Sequence, residues 1–395
     1  MLAILAPGQG AQTPGFLTPW LDLPGAADSL RWWSAVTGLD LIALGTTADA
    51  DTIRDTAVAQ PLLVAAGLVA AGALLDPADS GEWSGAAVAA GHSVGELTAS
   101  AVAGALSPEV ALVLVRERGR EMALAAGHEQ TGMTAILGGD EEAVLARLAE
   151  LGLTPANRNG AGQIVAGGRA DALAALAADP PAGARLRPLS VAGAFHTDSM
   201  APAQPRLSAL TARMPVQDPR LKLLSNLDGS LVSTGSDLIN RLVTQIAAPV
   251  RWDLCMKTLG QLGVTGVVEL PPAGTLSGLV KRGLPGVPTV ALKTPDDLEA
   301  ARRLLSATGE QGAAEPTPAW RVVVAPLAGT FRATTARPGD RLSAGDSVGT
   351  VMARRKEEPV TAPYGGVVVE WLAEDGDPVG PGQPLVRLHP EAVPA

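Results

Sequence analysis

Apolar and polar positions divide the chain into short blocks. Leu2–Ala6 is a continuous apolar run ended by Pro7-Gly8-Gln9-Gly10-Ala11-Gln12, which predicts a buried strand and a glycine-rich turn with its N–H groups facing outward. Residues 61–75 are Leu, Val, Ala and Gly behind a proline, which predicts a buried helix with Pro61 at its first position. Ala87–Gly91 is another short apolar run, and a small-residue helix pattern starts just after Ser93. Ser107-Pro108-Glu109 supplies an N-cap, an N1 proline and an acidic first turn. The helix that follows has an apolar stripe of Ala111, Leu114, Val115 and Met122.

From about Gly132 to Val191 the pattern changes. Strands at 134–137, 163–166 and 186–191 alternate with helices at 140–151 and 170–178, a β-α-β-α-β order that reads as an inserted ferredoxin-like α+β subdomain. Beyond it come a helix at 203–214, a strand at 222–225, a helix at 238–246 and a buried strand at 264–270. A last helix starts at Thr294-Pro295 and ends near Ala307. The expected division is a core of 1–131 and 192–307, an insert of 132–191, a linker of 308–319 and an all-β domain of 320–395.

That last domain contains a repeat. Ala325-Pro326 recurs as Ala362-Pro363, Gly339-Asp340 as Gly376-Asp377 and Gly345 as Gly382, always 37 residues on. Two short-stranded halves related in this way predict a small flattened barrel, the architecture of biotinyl and lipoyl carrier domains.

Composition narrows the class. With 47% apolar but only 3% aromatic residues among 395, the core is built from Ala, Val and Leu. A net charge of −10 argues against a general nucleic-acid binder. The single cysteine, Cys255, forms no internal disulfide and suits a reducing cytoplasm. The N-terminus lacks a basic region, so no signal peptide is expected, and the 61–75 stretch is too short to span a bilayer.

Candidate chemistry centres on Gly91-His92-Ser93-Val94-Gly95. Strand, tight turn and helix around a Gly-x-Ser-x-Gly string form the pattern that exposes a nucleophilic serine, with the helix N-terminus favouring an oxyanion. Of the four histidines, His196, on a loop at a strand end, is the best candidate base, and His92 is expected to point to the other side of the turn. Arg118 lies on the apolar stripe of its helix, whereas Arg116 and Arg120 lie further round toward solvent. A buried guanidinium needs an anionic partner, either an internal carboxylate or a substrate carboxylate. The segment Asn157–Gln163 is either an amide-rich ligand loop or an ordinary Asn-Gly turn.

Residues 1–305 resemble the malonyl-CoA:acyl carrier protein transacylase family, particularly its actinobacterial form. The resemblance rests on Pro7–Gln12, Gly91–Glu96, Arg118-Gly119, Asn157-x-Asn159 with Gln163, Gly193-Ala-Phe-His196, and Gln245 followed by Pro249-Val-Arg-Trp252, in family order. It implies an α/β-hydrolase-like core with a ferredoxin-like insert, and ping-pong transfer of malonyl from malonyl-CoA to acyl carrier protein in fatty acid biosynthesis. It assigns Ser93 as nucleophile, His196 as base, Arg118 as carboxylate ligand, and the N–H groups of Gln9 and Val94 as oxyanion hole. Gln245 takes the place whose carbonyl orients the histidine, Phe195 matches the malonyl-selecting form, and Asn159 and Gln163 line the substrate pocket. No metal and no tightly bound cofactor are implied. The carrier protein is acidic, so a local basic patch is expected, with 116–120 and 185–187 as candidates. Two departures are Ala248, where Asn is usual before Pro249, and Pro271-Pro-Ala-Gly in place of Gly-Pro-Gly.

Residues 320–390 resemble a biotinyl/lipoyl domain. The modified lysine of biotin carriers lies at a hairpin tip, seven residues before the alanine of the next Ala-Pro, which here is Arg355. The domain's one lysine, Lys356, is a residue off, so an unmodified docking or spacing barrel is expected rather than a biotin or lipoyl carrier. Alternatives are an acyltransferase of polyketide synthesis, a serine hydrolase, and a scaffold acting through the barrel. Arg118 argues against the hydrolase, since a plain esterase needs no interior cation. Oligomeric state is not legible in these patterns.

Overall fold

Every residue of Leu2–Ala6 (β1) and of Ala87–Gly91 (β2) is buried, because both strands have a hydrophobic layer on each face. The structure, a computed structural model, describes residues 1–74, 87–312, 321–353, 356–363 and 365–390. It separates into two units, Met1–Gly312 and Ala313–Ala395.

In the first unit β1 is followed by α1 (Ala26–Thr37), α2 (Leu41–Thr46) and α3 (Thr56–Leu74), and β2 by α4 (Gly95–Val102) and α5 (Pro108–Ala126). Next come β3 (Thr131–Gly138), α6 (Glu141–Glu150), β4 (Thr154–Gly160), β5 (Gln163–Arg169), α7 (Ala170–Ala178) and β6 (Ala184–Pro188). The chain continues through α8 (Gln204–Thr211), β7 (Lys222–Leu224), β8 (Leu231–Val232), α9 (Gly235–Gln245) and α10 (Trp252–Gln261). It ends with β9 (Gly266–Glu269), α11 (Thr275–Gly283), β10 (Thr289–Ala291) and α12 (Leu298–Gly312).

The main sheet has the order β10-β9-β1-β2-β7-β8, parallel except for β8. Period-two alternation sends Leu2, Ile4, Ala87 and Ala89 to the core on one face, which also holds Leu62, Leu97 and Leu114. Ala3, Leu5, Val88 and Ala90 point the other way, onto Trp252, Cys255, Leu276 and Val280. Strands β4-β5-β3-β6 form a separate antiparallel sheet with α6 and α7, an inserted α+β layer. The fold is an α/β core with this insert.

Several sequence expectations are corrected here. Helix α3 begins at Thr56, so Pro61 is internal and not at N1. Pro61 has no N–H for the Ala57 carbonyl; Arg116 donates to that carbonyl at 3.1 Å and to the Thr37 carbonyl at 3.1 Å, which is why Arg116 is not a solvent arginine. The 19-residue α3 is also long and apolar enough to cross a membrane by composition, yet most of it is buried within this unit.

The expected 157–163 loop contributes a fourth strand, β4. Its backbone is held by Arg158 N–H to the Val250 carbonyl at 2.9 Å and Val250 N–H to the Ala156 carbonyl at 2.8 Å. Its ladder partner is the neighbouring β5, with Asn157 beside Val165 and irregular register on both sides, and the contact with Val250, about 90 residues away, is a single added bridge. The edge strand expected at 186–191 is Ala184–Pro188. The last helix follows a Thr294–Asp297 capping box and runs to Gly312, five residues past its expected end. The rest of the expected linker, 313–319, lies outside the described residues.

The second unit has two four-stranded sheets. Its strands, in chain order, are β11 (Arg321–Val324), β12 (Gly329–Ala333), β13 (Arg341–Leu342), β14 (Ser347–Ala353), β15 (Lys356–Thr361), β16 (Gly366–Trp371), β17 (Pro378–Val379) and β18 (Pro384–Pro390). The sheet orders are β11-β18-β16-β13 and β15-β14-β12-β17, so each sheet takes two strands from either half of the repeat. The tying hydrogen bonds repeat as well: Gly339 N–H to Val368 and Gly376 N–H to Phe331, both 2.8 Å, are copies at the 37-residue offset. Phe331, fully buried, centres the core.

Candidate active site

Strands β1 and β2 pair in register, Ala6 beside Gly91, so the chain leaves both at one edge of the sheet. The turn after β2 is very tight: a Cβ on Gly91 would sit 2.0 Å from the Gly95 carbonyl carbon, and one on Gly95 2.1 Å from the Ala6 oxygen. Both positions therefore require glycine. Between them Ser93 has φ 54°, a left-handed conformation costing about 1–3 kcal/mol that the surroundings must offset. Asn226, just after β7, does so from both sides of the turn. Its Oδ1 accepts the Ser93 N–H at 2.7 Å and its Nδ2 donates to the Gly91 carbonyl at 2.8 Å.

His196 lies across from Ser93, 3% exposed and also left-handed at φ 61°. Its Nε2 is 2.6 Å from the Ser93 hydroxyl, and its Nδ1 is 2.8 Å from the main-chain carbonyl of Gln245, the last residue of α9. A carbonyl can only accept, so Nδ1 carries the proton and Nε2 is free to take one from serine. Burial, then the nearby Arg118 charge, push the His196 pKa down to about 3, which keeps the ring neutral at physiological pH.

Arg118, 4% exposed on α5, is surrounded by neutral acceptors. It donates to Gln60 Oε1 at 2.6 Å and Gln245 Oε1 at 2.8 Å, and lies 3.3 Å from the Ser93 hydroxyl. Among the described residues no carboxylate is within 4.0 Å of it, so the internal salt bridge is not formed. Burial lowers its pKa to about 10, leaving it cationic. Behind it, the Gln245 Nε2 donates to Glu96, whose other oxygen accepts the Asn226 N–H at 2.5 Å. Burial pushes the Glu96 carboxyl up to about 8, against the pull of the Asn226 N–H and of Arg118. A small apolar cavity beside Ser93 and Arg118 is lined by Leu97, Leu114, Leu207, Leu242 and Ile246. A larger apolar cleft near Trp33, Val69 and Arg220 contains none of these groups.

The remaining candidates fall as follows. Among the described residues the Gln9 and Val94 N–H groups donate no hydrogen bond, and Gly8 packs its backbone against His92. Phe195 is buried beside His196. His92 turns away from Ser93 to Asn159, Nε2 to Oδ1 at 2.9 Å, with its ring 5.6 Å from that of Trp252. Asn159 thus buttresses the elbow. Gln163 is not brought to this cleft; it lines a separate one with Glu141 and Arg158, because it starts the strand on the far side of the hairpin turn. Of the 116–120 arginines only Arg120 is exposed, so that stretch makes no basic patch, whereas Arg185 and Arg187 are exposed on β6.

Residues 5–314 match the acyl transferase domain family. The malonyl CoA-acyl carrier protein transacylase of Mycobacterium tuberculosis is 54% identical over 304 residues, 77% of this chain and 100% of that protein. The chain belongs to the malonyl-CoA–acyl carrier protein transacylase family. The crystal structure of the M. tuberculosis MCAT superposes with a TM-score of 0.73 at 54% identity, over 76% of this chain and 99% of that one. A malonyl-transacylase solved with its type II polyketide synthase acyl-carrier protein matches at 0.71 and 28% identity, over 77% and 99%. Residues 321–388 match the biotin-requiring enzyme family, a region the transacylase relatives do not cover.

In this transacylase fold, Gln60, Glu96 and Asn226 are site residues that the sequence reading missed. Gln60 carried a signal, as a lone amide in the apolar run of α3. Glu96 was part of the matched Gly91–Glu96 motif but was given no role, and Asn226 carried no signal, since the Ser93 N–H it accepts is 133 residues away in sequence. In the second unit Lys356 pairs with Ala353 across the tip of the β14–β15 hairpin, and its ammonium meets Glu358 at 2.6 Å. Arg354 and Arg355 lie outside the described residues.

Proposed function

We propose that this chain moves the malonyl group of malonyl-CoA to the phosphopantetheine thiol of acyl carrier protein, in fatty acid biosynthesis, through a malonyl-serine. His196 Nε2 takes the Ser93 proton as the serine oxygen attacks the thioester carbon. The tetrahedral oxyanion is held by the free N–H groups of Gln9 and Val94. Collapse expels the coenzyme A thiolate, which receives the proton from His196. The carrier thiol then repeats the sequence in reverse, leaving Ser93 free. No bound cofactor takes part.

The observation that carries this reading is the buried Arg118 cation, 3.3 Å from the Ser93 hydroxyl and with no carboxylate of the described residues within 4.0 Å. A malonyl carboxylate supplies the missing anion through a two-pronged pair. Peptide-mapping mass spectrometry after incubation with malonyl-CoA tests it. A malonyl adduct on the Ser93 peptide supports the reading, and folded chain without one points to a hydrolase.

The second unit is read as an unmodified docking or spacing module. Lys356 is a strand residue, opposite Ala353 in the β14–β15 ladder and already paired with Glu358. One buried thiol, Cys255, fits a reducing cytoplasm.

A further inference from the structure

Glu96 lies three residues after the nucleophile, 3% exposed, and takes no part in the mechanism above. Its oxygens receive the Asn226 N–H and the Gln245 Nε2. The Gln245 side chain, 1% exposed, has two faces. Its NH2 faces three acceptors: Glu96, the Ser93 carbonyl at 3.2 Å and Asn226 Oδ1 at 3.3 Å. Its oxygen faces Arg118 at 2.8 Å. Turned over, the amide would put its NH2 against the Arg118 N–H groups and its oxygen against three acceptors. Of the three acceptors the Glu96 carboxyl is the nearest to the amide, and it is the group that sets which way the amide lies.

We propose that Glu96 is the positioning residue of the carboxylate site, holding the Gln245 amide so that its oxygen, with that of Gln60, aims Arg118 at an anionic acyl group. This inference rests on the malonyl-transfer reading. Keeping Glu96 one residue behind Arg118 matters: a direct ion pair would neutralise the cation, while a neutral amide fixes its direction and leaves its charge for the substrate. The main-chain carbonyl of Gln245, which orients His196, is independent of the amide's orientation.

The test measures Ser93 acylation by malonyl-CoA and by acetyl-CoA, followed as intact mass, for the full chain as wild type, Glu96→Gln, Gln245→Met and the double variant. Glu96→Gln is expected to lower kcat/KM for malonyl-CoA by ~10-fold or more, mainly through KM, with acetyl-CoA changed by less than ~3-fold. In the Gln245→Met background the same substitution is expected to add less than ~2-fold. Equal losses with both donors, a full loss that persists without the Gln245 amide, or no change at all would each overturn the proposal. Should Glu96→Gln not fold, Gln245→Met alone carries the test, and an unshifted malonyl-to-acetyl ratio overturns it. The wild type separates the two readings: no malonyl-Ser93 there sinks malonyl transfer itself, whereas malonylated wild type with unaltered variants sinks only the role of Glu96.

Discussion

The guanidinium of Arg118 stands 3.3 Å from the Ser93 hydroxyl, held by two amide oxygens. A buried cation and a serine hydroxyl are thereby fixed within one acyl group's length of each other. Replacing Arg118 by alanine is expected to cost about 2–5 kcal/mol in malonyl transition-state binding, because the substrate carboxylate would be desolvated without a partner. Acetyl transfer keeps its nucleophile and base, so the malonyl-to-acetyl ratio of kcat/KM should collapse. A ratio unchanged within error would show that Arg118 does not read the carboxylate.

The His196 pKa of about 3 fixes the sign of the pH dependence. His196 acts as a base when neutral, so kcat/KM for Ser93 acylation should stay flat from about pH 7 down to about pH 5 and fall only as pH approaches 3. Stability follows the same direction. The folded pKa is depressed from the ordinary 6.5, so the His196 contribution is whole above that value and is lost as pH falls toward about 3. A kinetic limb near pH 6.5 assigned to the free enzyme would contradict this environment.

Asn226 holds the strained turn from both sides, at the Ser93 N–H and the Gly91 carbonyl. Asn226→Ala should lower stability by about 2–4 kcal/mol, read as a drop in denaturation midpoint, since two buried backbone groups lose their partner. Acylation should slow with either donor, because the serine itself moves. Gly95→Ala should not yield folded chain, as its Cβ would overlap the Ala6 oxygen.

The M. tuberculosis relative is matched in full over 304 residues, close to the length of the first unit, Met1–Gly312. A chain cut after Gly312 should therefore keep malonyl transfer to carrier protein within about twofold. The cut belongs there and not at 307, inside α12. Insoluble product would give the second unit a structural role.

Peptide mass mapping of Lys356 from the native host should find the unmodified residue. A biotinyl or lipoyl mass on that peptide would make the barrel a carrier and overturn the register argument.

Local patterns carried much of the plan. The strand–turn–helix around Ser93, the Ser107 cap, the candidate histidine and the 37-residue repeat are all written in neighbouring or regularly spaced residues, where steric and periodic rules act directly. The start of α3 escaped them, because a partner from another helix, Arg116, took the carbonyl that Pro61 left free. So did β4, whose polar Asn157-Arg158-Asn159 run reads as a turn and pairs with β5 only through an irregular ladder.

What the sequence determined by itself was the set of chemical groups and the local geometry each can adopt: glycines that allow the turn, a serine on it, a histidine on a loop, an arginine on an apolar stripe. Only the tertiary structure decided which of them meet. Whether Arg118 faced an internal acid or an open site depended on Gln60 and Gln245, 58 and 127 residues away. Parallel pairing of β1 with β2 brought the Gln9 turn to the elbow, and the end of α9 brought a carbonyl to His196. Hydrogen bonding and desolvation act through space over a few ångströms, and those distances exist only once the core has packed.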